Sequence, residues 1–259
     1  MRRNLIVIAV VMLLPASLSA QNLPDLIVDQ ASLSQKWVVR QELIPPGSCV
    51  AIEGDVTPGD RLLARFTVST PNIGAADLFV GDPNERVNDG LFEFAECHQH
   101  FHFRHYALYE LVDPATGFVW RAAKRGFCMI DFERYQAFEG KATKRQFASC
   151  GAIGIPGNQG ISRGWADTYV WKLAGQFFVL DGGDGQPAIP PGDYVLRITV
   201  NPPFVAQNGE VCPVRDAQGF CHMFAESDYS NNVAQVTITV PVDKKAVGPL
   251  AAERVVVEP

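Results

Sequence analysis

The alternation of apolar and polar positions along this chain has the two-residue period of β-strands almost throughout, and no segment carries a long helical moment. Leu26-Ile27-Val28, Trp37-Val38-Val39 and residues 61–69 are read as the first strands, the last following the turn signal Pro58-Gly59-Asp60. Residues 98–111 read as one long strand or two. Asp113-Pro114-Ala115-Thr116-Gly117 predicts a hairpin turn into Phe118-Val119-Trp120. Residues 132–164 lack periodicity and are rich in Gly and charge, so a long irregular segment is expected there. Pro190-Pro191-Gly192-Asp193 turns into a strand over residues 194–200, and residues 233–240 alternate as another. The pattern predicts a mostly β chain, a β-sandwich with long irregular loops.

The first twenty residues stand apart. Arg2 and Arg3 precede an apolar run over residues 5–14, and Pro15 and small residues follow up to Ala20, which predicts an export signal over residues 1–20. That run is too short to span a bilayer. The chain is then organised as one domain over residues 21–242 and a loosely held tail over 243–259. Without Arg2 and Arg3, 20 basic residues face 28 acidic ones, a net charge of about −8. That balance argues against nucleic acid as a partner and suits a cationic substrate. Six cysteines in an exported chain predict three disulfides, with Cys212 and Cys221 close enough to staple a local loop.

Candidate chemistry concentrates in Cys97-His98-Gln99-His100-Phe101-His102-Phe103-Arg104-His105, which holds four of the five histidines. On a strand, His98, His100 and His102 would share one face, and three imidazoles suit copper or zinc while leaving a position open for chemistry. An ideal strand spreads alternate residues by about 6.5–7 Å, so it must twist or kink for all three to reach one ion. The plainer reading is a polar, half-exposed strand face. A zinc hydrolase would need a general base; Glu93 and Glu96 are nearby, but outside any recognisable motif. A second cluster, Glu226, Asp228, Asn231 and Asn232, gathers oxygen donors of the kind Ca²⁺ prefers; Asp25 and the Leu26 carbonyl join it if the chain ends meet. Asx-turn chemistry at a hairpin is the alternative there.

Several segments together resemble the lysyl oxidase family. Glu96-Cys97-His98-Gln99-His100-Phe101-His102, with His105-Tyr106 and Leu108-Tyr109-Glu110-Leu111, is similar to its copper-binding region. Lys124-Arg125-Gly126-Phe127-Cys128 resembles the segment holding its cofactor lysine, and Asp167-Thr168-Tyr169 the one holding its cofactor tyrosine. Leu23-Pro24-Asp25-Leu26 and residues 61–66 match its opening, and residues 194–202 and 226–232 its C-terminal signature. The resemblance implies that His98, His100 and His102 bind Cu²⁺ and that Lys124 and Tyr169 fuse into lysine tyrosylquinone, a carbonyl cofactor made from the chain itself. It implies oxidation of peptidyl lysine or other primary amines by O₂ to aldehydes, with release of ammonia and hydrogen peroxide. Asp167 is the candidate general base. By the matched positions Cys97 pairs with Cys150, leaving Cys49 with Cys128. The interval from His102 to His105 is shorter than in the animal enzymes, and no role is carried onto His105. The competing reading is a non-catalytic exported metal-binding β-sandwich, an adhesion or binding module.

Overall fold

The structure is a computed structural model that describes residues 22–254; the segment read as an export signal and residues 255–259 lie outside them. Among the described residues, sixteen short strands form several small open sheets around one main core. The largest sheet joins β7 (Ala107–Val112), β8 (Val119–Arg121), β13 (Gly192–Val200) and β16 (Val233–Val240) in the order β16-β13-β7-β8, all antiparallel. A second joins β1 (Trp37–Ile44), β2 (Gly59–Phe66) and β12 (Phe177–Val179). A third joins β3 (Val68–Pro71), β9 (Glu133–Arg134) and β11 (Trp165–Tyr169). Three antiparallel pairs complete the set: β4 (Leu78–Gly81) with β10 (Gln159–Ile161), and the hairpins β5 (Phe92–Ala95) with β6 (His100–Phe103) and β14 (Val214–Arg215) with β15 (Cys221–His222). Two short helices, α1 (Gln30–Gln35) and α2 (Cys49–Ile52), are the α-helical elements of the described residues.

The first two sheets meet through aromatic rings. Phe66 of β2 packs edge-on against Tyr109 of β7 at 5.3 Å and lies 5.3 Å from Phe178 of β12. Inward positions of β13, Leu196, Ile198 and Val200, are buried against the same core, and the residues between them are half-buried. That is the alternation expected of a sheet with one covered face.

Several elements follow the sequence pattern closely. β16 has the bounds read from it, and the hairpin after β7 is closed by Asp113, whose carboxylate accepts from Ala115 N and Thr116 Oγ1, with Gly117 at a φ of 75°. Residues 132–164 are irregular apart from β9 and β10. Elsewhere the structure corrects the reading. Residues 26–28 make only a bridge, Leu26 to Asn72, and residues 61–69 are cut into β2 and β3 at Thr67, whose N–H turns to Lys36 O. Residues 243–254 are not loose. Val247 exchanges both backbone hydrogen bonds with Val39, and Arg40 donates to the carbonyls of Leu250 and Glu253, docking the stretch on β1.

The three disulfides are Cys49–Cys97, Cys128–Cys150 and Cys212–Cys221. The last is as expected, but the Cys97–Cys150 and Cys49–Cys128 pairings are overturned. α2 lies beside the turn that carries Cys97, with Cα atoms 5.5 Å apart. Cys128 faces Cys150 at 5.4 Å because the irregular segment folds back along β6, Phe101 N donating to Gly151 O.

Candidate active site

β6 sorts its side chains as a strand must. Phe101 and Phe103 turn inward, packing on Phe94 and Phe92 of β5 at 5.3 and 5.0 Å, while His100 and His102 share the opposite face. His98 is not on the strand as the sequence suggested. It sits in the turn over residues 96–99, where Gln99 adopts a φ of 56°. That left-handed residue is the kink the three-histidine arrangement needed, because it swings the His98 ring back over the strand face. The ring centroids lie 5.8 Å (His98–His100), 5.4 Å (His98–His102) and 4.9 Å (His100–His102) apart.

Each imidazole has its Nδ1 edge turned toward protein. His98 Nδ1 is 2.8 Å from Glu53 Oε2, and His100 Nδ1 is 3.0 Å from the His98 carbonyl. The Nδ1 edge of His102 lies against Gly126, where a Cβ would stand 2.2 Å from the nitrogen. Nε2 is therefore the donor left free on all three rings. Burial lowers the His100 pKa and depresses that of His102 to about 3, so both are neutral at ordinary pH, the form in which imidazole ligates.

The residues fit a copper ion. A nitrogen about 2 Å from an ion places the ring centre about 3 Å away, so rings set at 90–120° stand roughly 4.5–5.5 Å apart. The His98–His102 and His100–His102 spacings fall in that range, and the His98–His100 spacing is slightly wider. As they stand, no three His, Cys, Asp or Glu side chains among the described residues converge into a closed ligand set.

Beside the histidines the structure brings together the two residues implied as cofactor precursors. Phe127 links the sites: its backbone oxygen accepts from Phe103 N, and its ring meets that of Tyr169 edge-on at 5.4 Å. Lys124 Nζ lies over the Tyr169 ring, 4.6 Å from its centroid, and 5.2 Å from that of Phe127. The Tyr169 hydroxyl is clasped by one residue, donating to Cys128 O at 2.7 Å and accepting from Cys128 N at 2.9 Å. Burial pulls the Lys124 amine down to about 8, against an opposing pull from Asp167. Burial likewise pushes Asp167 and Tyr169 well above their usual ranges. Asp167 is 3% exposed in the middle of β11, and its Oδ2 is buried without a hydrogen-bond partner. It caps no turn. A cavity of about 390 Å³ opens onto this site, and His98, His102, Lys124, Glu53, Glu93 and Glu96 are among its walls.

His105 lies apart from the trio. The turn at residues 104–106 carries it at a φ of 53°, stacked on Phe204 at 4.2 Å, with Nε2 3.0 Å from Glu210 Oε1. The oxygen-rich cluster does assemble across the chain ends: Leu26 N donates to Glu226 Oε1, Asn201 and Asn232 donate to Oε2, and Asn231 donates to Asp25. Leu26 offers its N–H there. Asp228 caps its own turn by accepting from Ser230. Glu53 and Gly126 were not singled out in the sequence. Glu53 becomes visible only once Cys49 is known to pair with Cys97.

No curated protein matches the chain. The family model described as Lysyl oxidase matches residues 47–212, which include the three histidines, Lys124 and Tyr169. Members of that family are oxidoreductases that generally use copper and lysine tyrosylquinone. With well over half its length matched, the chain belongs to the lysyl oxidase family.

Proposed function

We propose that this protein is a copper- and quinone-dependent amine oxidase, converting peptidyl lysine or another primary amine, with O₂ and water, to the aldehyde, ammonia and hydrogen peroxide. The observation that carries the proposal is the Lys124 amine standing 4.6 Å over the face of the Tyr169 ring at a cavity it shares with His98 and His102. Addition to an electron-poor ring carbon comes along the ring's face, so this approach suits formation of the cross-link. Reacting atoms need about 3–3.5 Å, within reach of a small side-chain movement.

Copper held by His98, His100 and His102 would supply the redox chemistry with O₂, and the quinone an electrophilic carbonyl for the amine. The chain's own residues do the rest. Burial keeps about a tenth of Lys124 as the nucleophilic free amine at pH 7, far more than an ordinary lysine holds. Cys128 fixes the phenol oxygen, so the ring presents a constant face to Lys124. Asp167, beside both, has an unpartnered oxygen and a raised pKa, the properties of a general base poised to take the proton α to the substrate nitrogen. Glu53, Glu93 and Glu96 give the cavity an acidic wall that attracts a cationic amine.

Three disulfides fit an exported protein, and among the described residues no helix is long and apolar enough to cross a membrane. The assembled Asp25–Asn232 cluster, with Asn231 Oδ1 and Asn232 Oδ1 buried and unpartnered, is read as a structural Ca²⁺ site. A melting temperature unchanged by calcium chelation would remove that reading. The oxidase proposal is tested by peroxide release from an alkylamine after copper loading. Turnover is expected in the wild type and absent from Lys124→Arg; full turnover in Lys124→Arg would contradict it.

A further inference from the structure

The histidine that leaves the strand is held by an element remote in sequence. Cys49 opens α2 and is bonded to Cys97, the residue before His98. One turn further on, Glu53 ends α2 and returns to the same place. Its Oε1 accepts from Cys97 N, and its Oε2 lies at ion-pair distance, 2.8 Å, from His98 Nδ1, close but not aligned as a hydrogen bond. α2 therefore grips residues 97–98 at three points, one covalent and two through a single carboxylate. His100 and His102 need no such device, because β6 and its pairing with β5 set their direction.

We infer that Glu53 is the positioning residue of the copper site, holding His98 with Nδ1 protonated and Nε2 aimed at the ion. The inference rests on the copper reading proposed above. The Glu53 and His98 side chains are 26% and 31% exposed. An ion pair that open to water contributes little to stability, so the contact matters for orientation more than for holding the fold. A carboxylate on the far nitrogen of a ligating imidazole fixes the ring's tautomer and angle and makes it a better donor, and loss of such partners typically weakens metal affinity about 10–100-fold. His100 keeps its Nδ1 contact with the His98 carbonyl and His102 its place against Gly126 without Glu53, so its removal weakens the site rather than abolishing it. The Cys49–Cys97 bond extends the argument: it sets the distance over which Glu53 acts, which ties an intact copper site to an oxidised protein.

The test is copper affinity by competition titration of the full chain, with electron paramagnetic resonance of the bound Cu²⁺, for wild type, Glu53→Ala, Glu53→Gln and His98→Ala. Expected is a 10–100-fold loss in Glu53→Ala, a smaller loss in Glu53→Gln (which keeps one acceptor oxygen) and a changed hyperfine pattern in both. The metal-free melting temperatures should stay close to wild type. Should Glu53→Ala fold poorly, Glu53→Gln alone carries the comparison. Affinities within twofold of wild type with an unchanged spectrum would overturn the role of Glu53 while leaving copper binding intact. A wild type that binds no copper, or a His98→Ala that binds it equally well, would instead sink the copper reading and this inference with it.

Discussion

Gly126→Ala isolates the contact between the two halves of the site. Gly126 does not have a positive φ, so its backbone would accept alanine and only packing forbids it. The new methyl would stand 2.2, 2.6 and 2.8 Å from Nδ1, Cγ and Cβ of His102. Ordinary contact needs at least about 3.4 Å, so ring or backbone must give by about 1 Å. Neither side yields easily. His102 is buried in a paired strand, and Gly126 sits between Lys124 and Phe127, which is packed against Tyr106, Tyr109 and Tyr169. Overpacking of this kind costs about 1–3 kcal/mol, a fall in Tm of roughly 2–12 °C for a domain of this size. Ligand placement tolerates only about 0.5 Å, so copper affinity should drop at least about 10-fold. Thermal unfolding of the metal-free protein and a copper titration measure the two effects. An alanine variant with wild-type Tm and wild-type copper affinity would refute the packing argument.

Other consequences follow from the same geometry. With Lys124 at about 8, the free amine rises from about a tenth at pH 7 to about nine tenths at pH 9, so the rate of cross-link formation in copper-loaded protein should climb about tenfold across that range; a flat or falling profile of the new visible absorbance would count against it. Asp167→Asn removes the proposed base without emptying the space, so turnover should fall about 10²–10⁴-fold while copper affinity stays near wild type; activity within tenfold of wild type would assign the base elsewhere. Replacing Cys49 and Cys97 by serine opens a 48-residue separation and should cost about 4 kcal/mol in melting experiments, together with copper affinity. The same change at Cys212 and Cys221, nine residues apart, should cost about 3 kcal/mol and leave copper binding alone; equal copper losses in the two would contradict the link between α2 and His98.

Local pattern carried much of this fold. Alternation over residues 233–240 and turn chemistry at Asp113 are short-range signals, and the structure follows both. The grouping of His100 and His102 on one face was legible for the same reason, since those two rings need only the strand's own period. What the sequence concealed depends on segments that meet only in the folded chain. The turn at Gln99 takes His98 off the strand, and nothing local favours a left-handed glutamine over an extended one. Cysteine pairing depends on where α2 and the irregular segment lie, so matching positions to a family gave two wrong pairings. The docking of residues 243–254 rests on Arg40, which reads in the sequence as an ordinary surface charge on a strand but is buried under the returning chain. Lys124 and Tyr169 are 45 positions apart, and Phe127 and Cys128 link them through contacts that form only in the folded chain.

Peptide mass spectrometry on aerated, copper-loaded protein bears most directly on the central claim. The account predicts that the peptides carrying Lys124 and Tyr169 emerge joined, with the mass of a quinone cross-link, and that Tyr169→Phe yields them separate. Free, unmodified Lys124 and Tyr169 peptides from fully loaded wild-type protein would contradict it and leave a metal-binding sandwich in place of an oxidase.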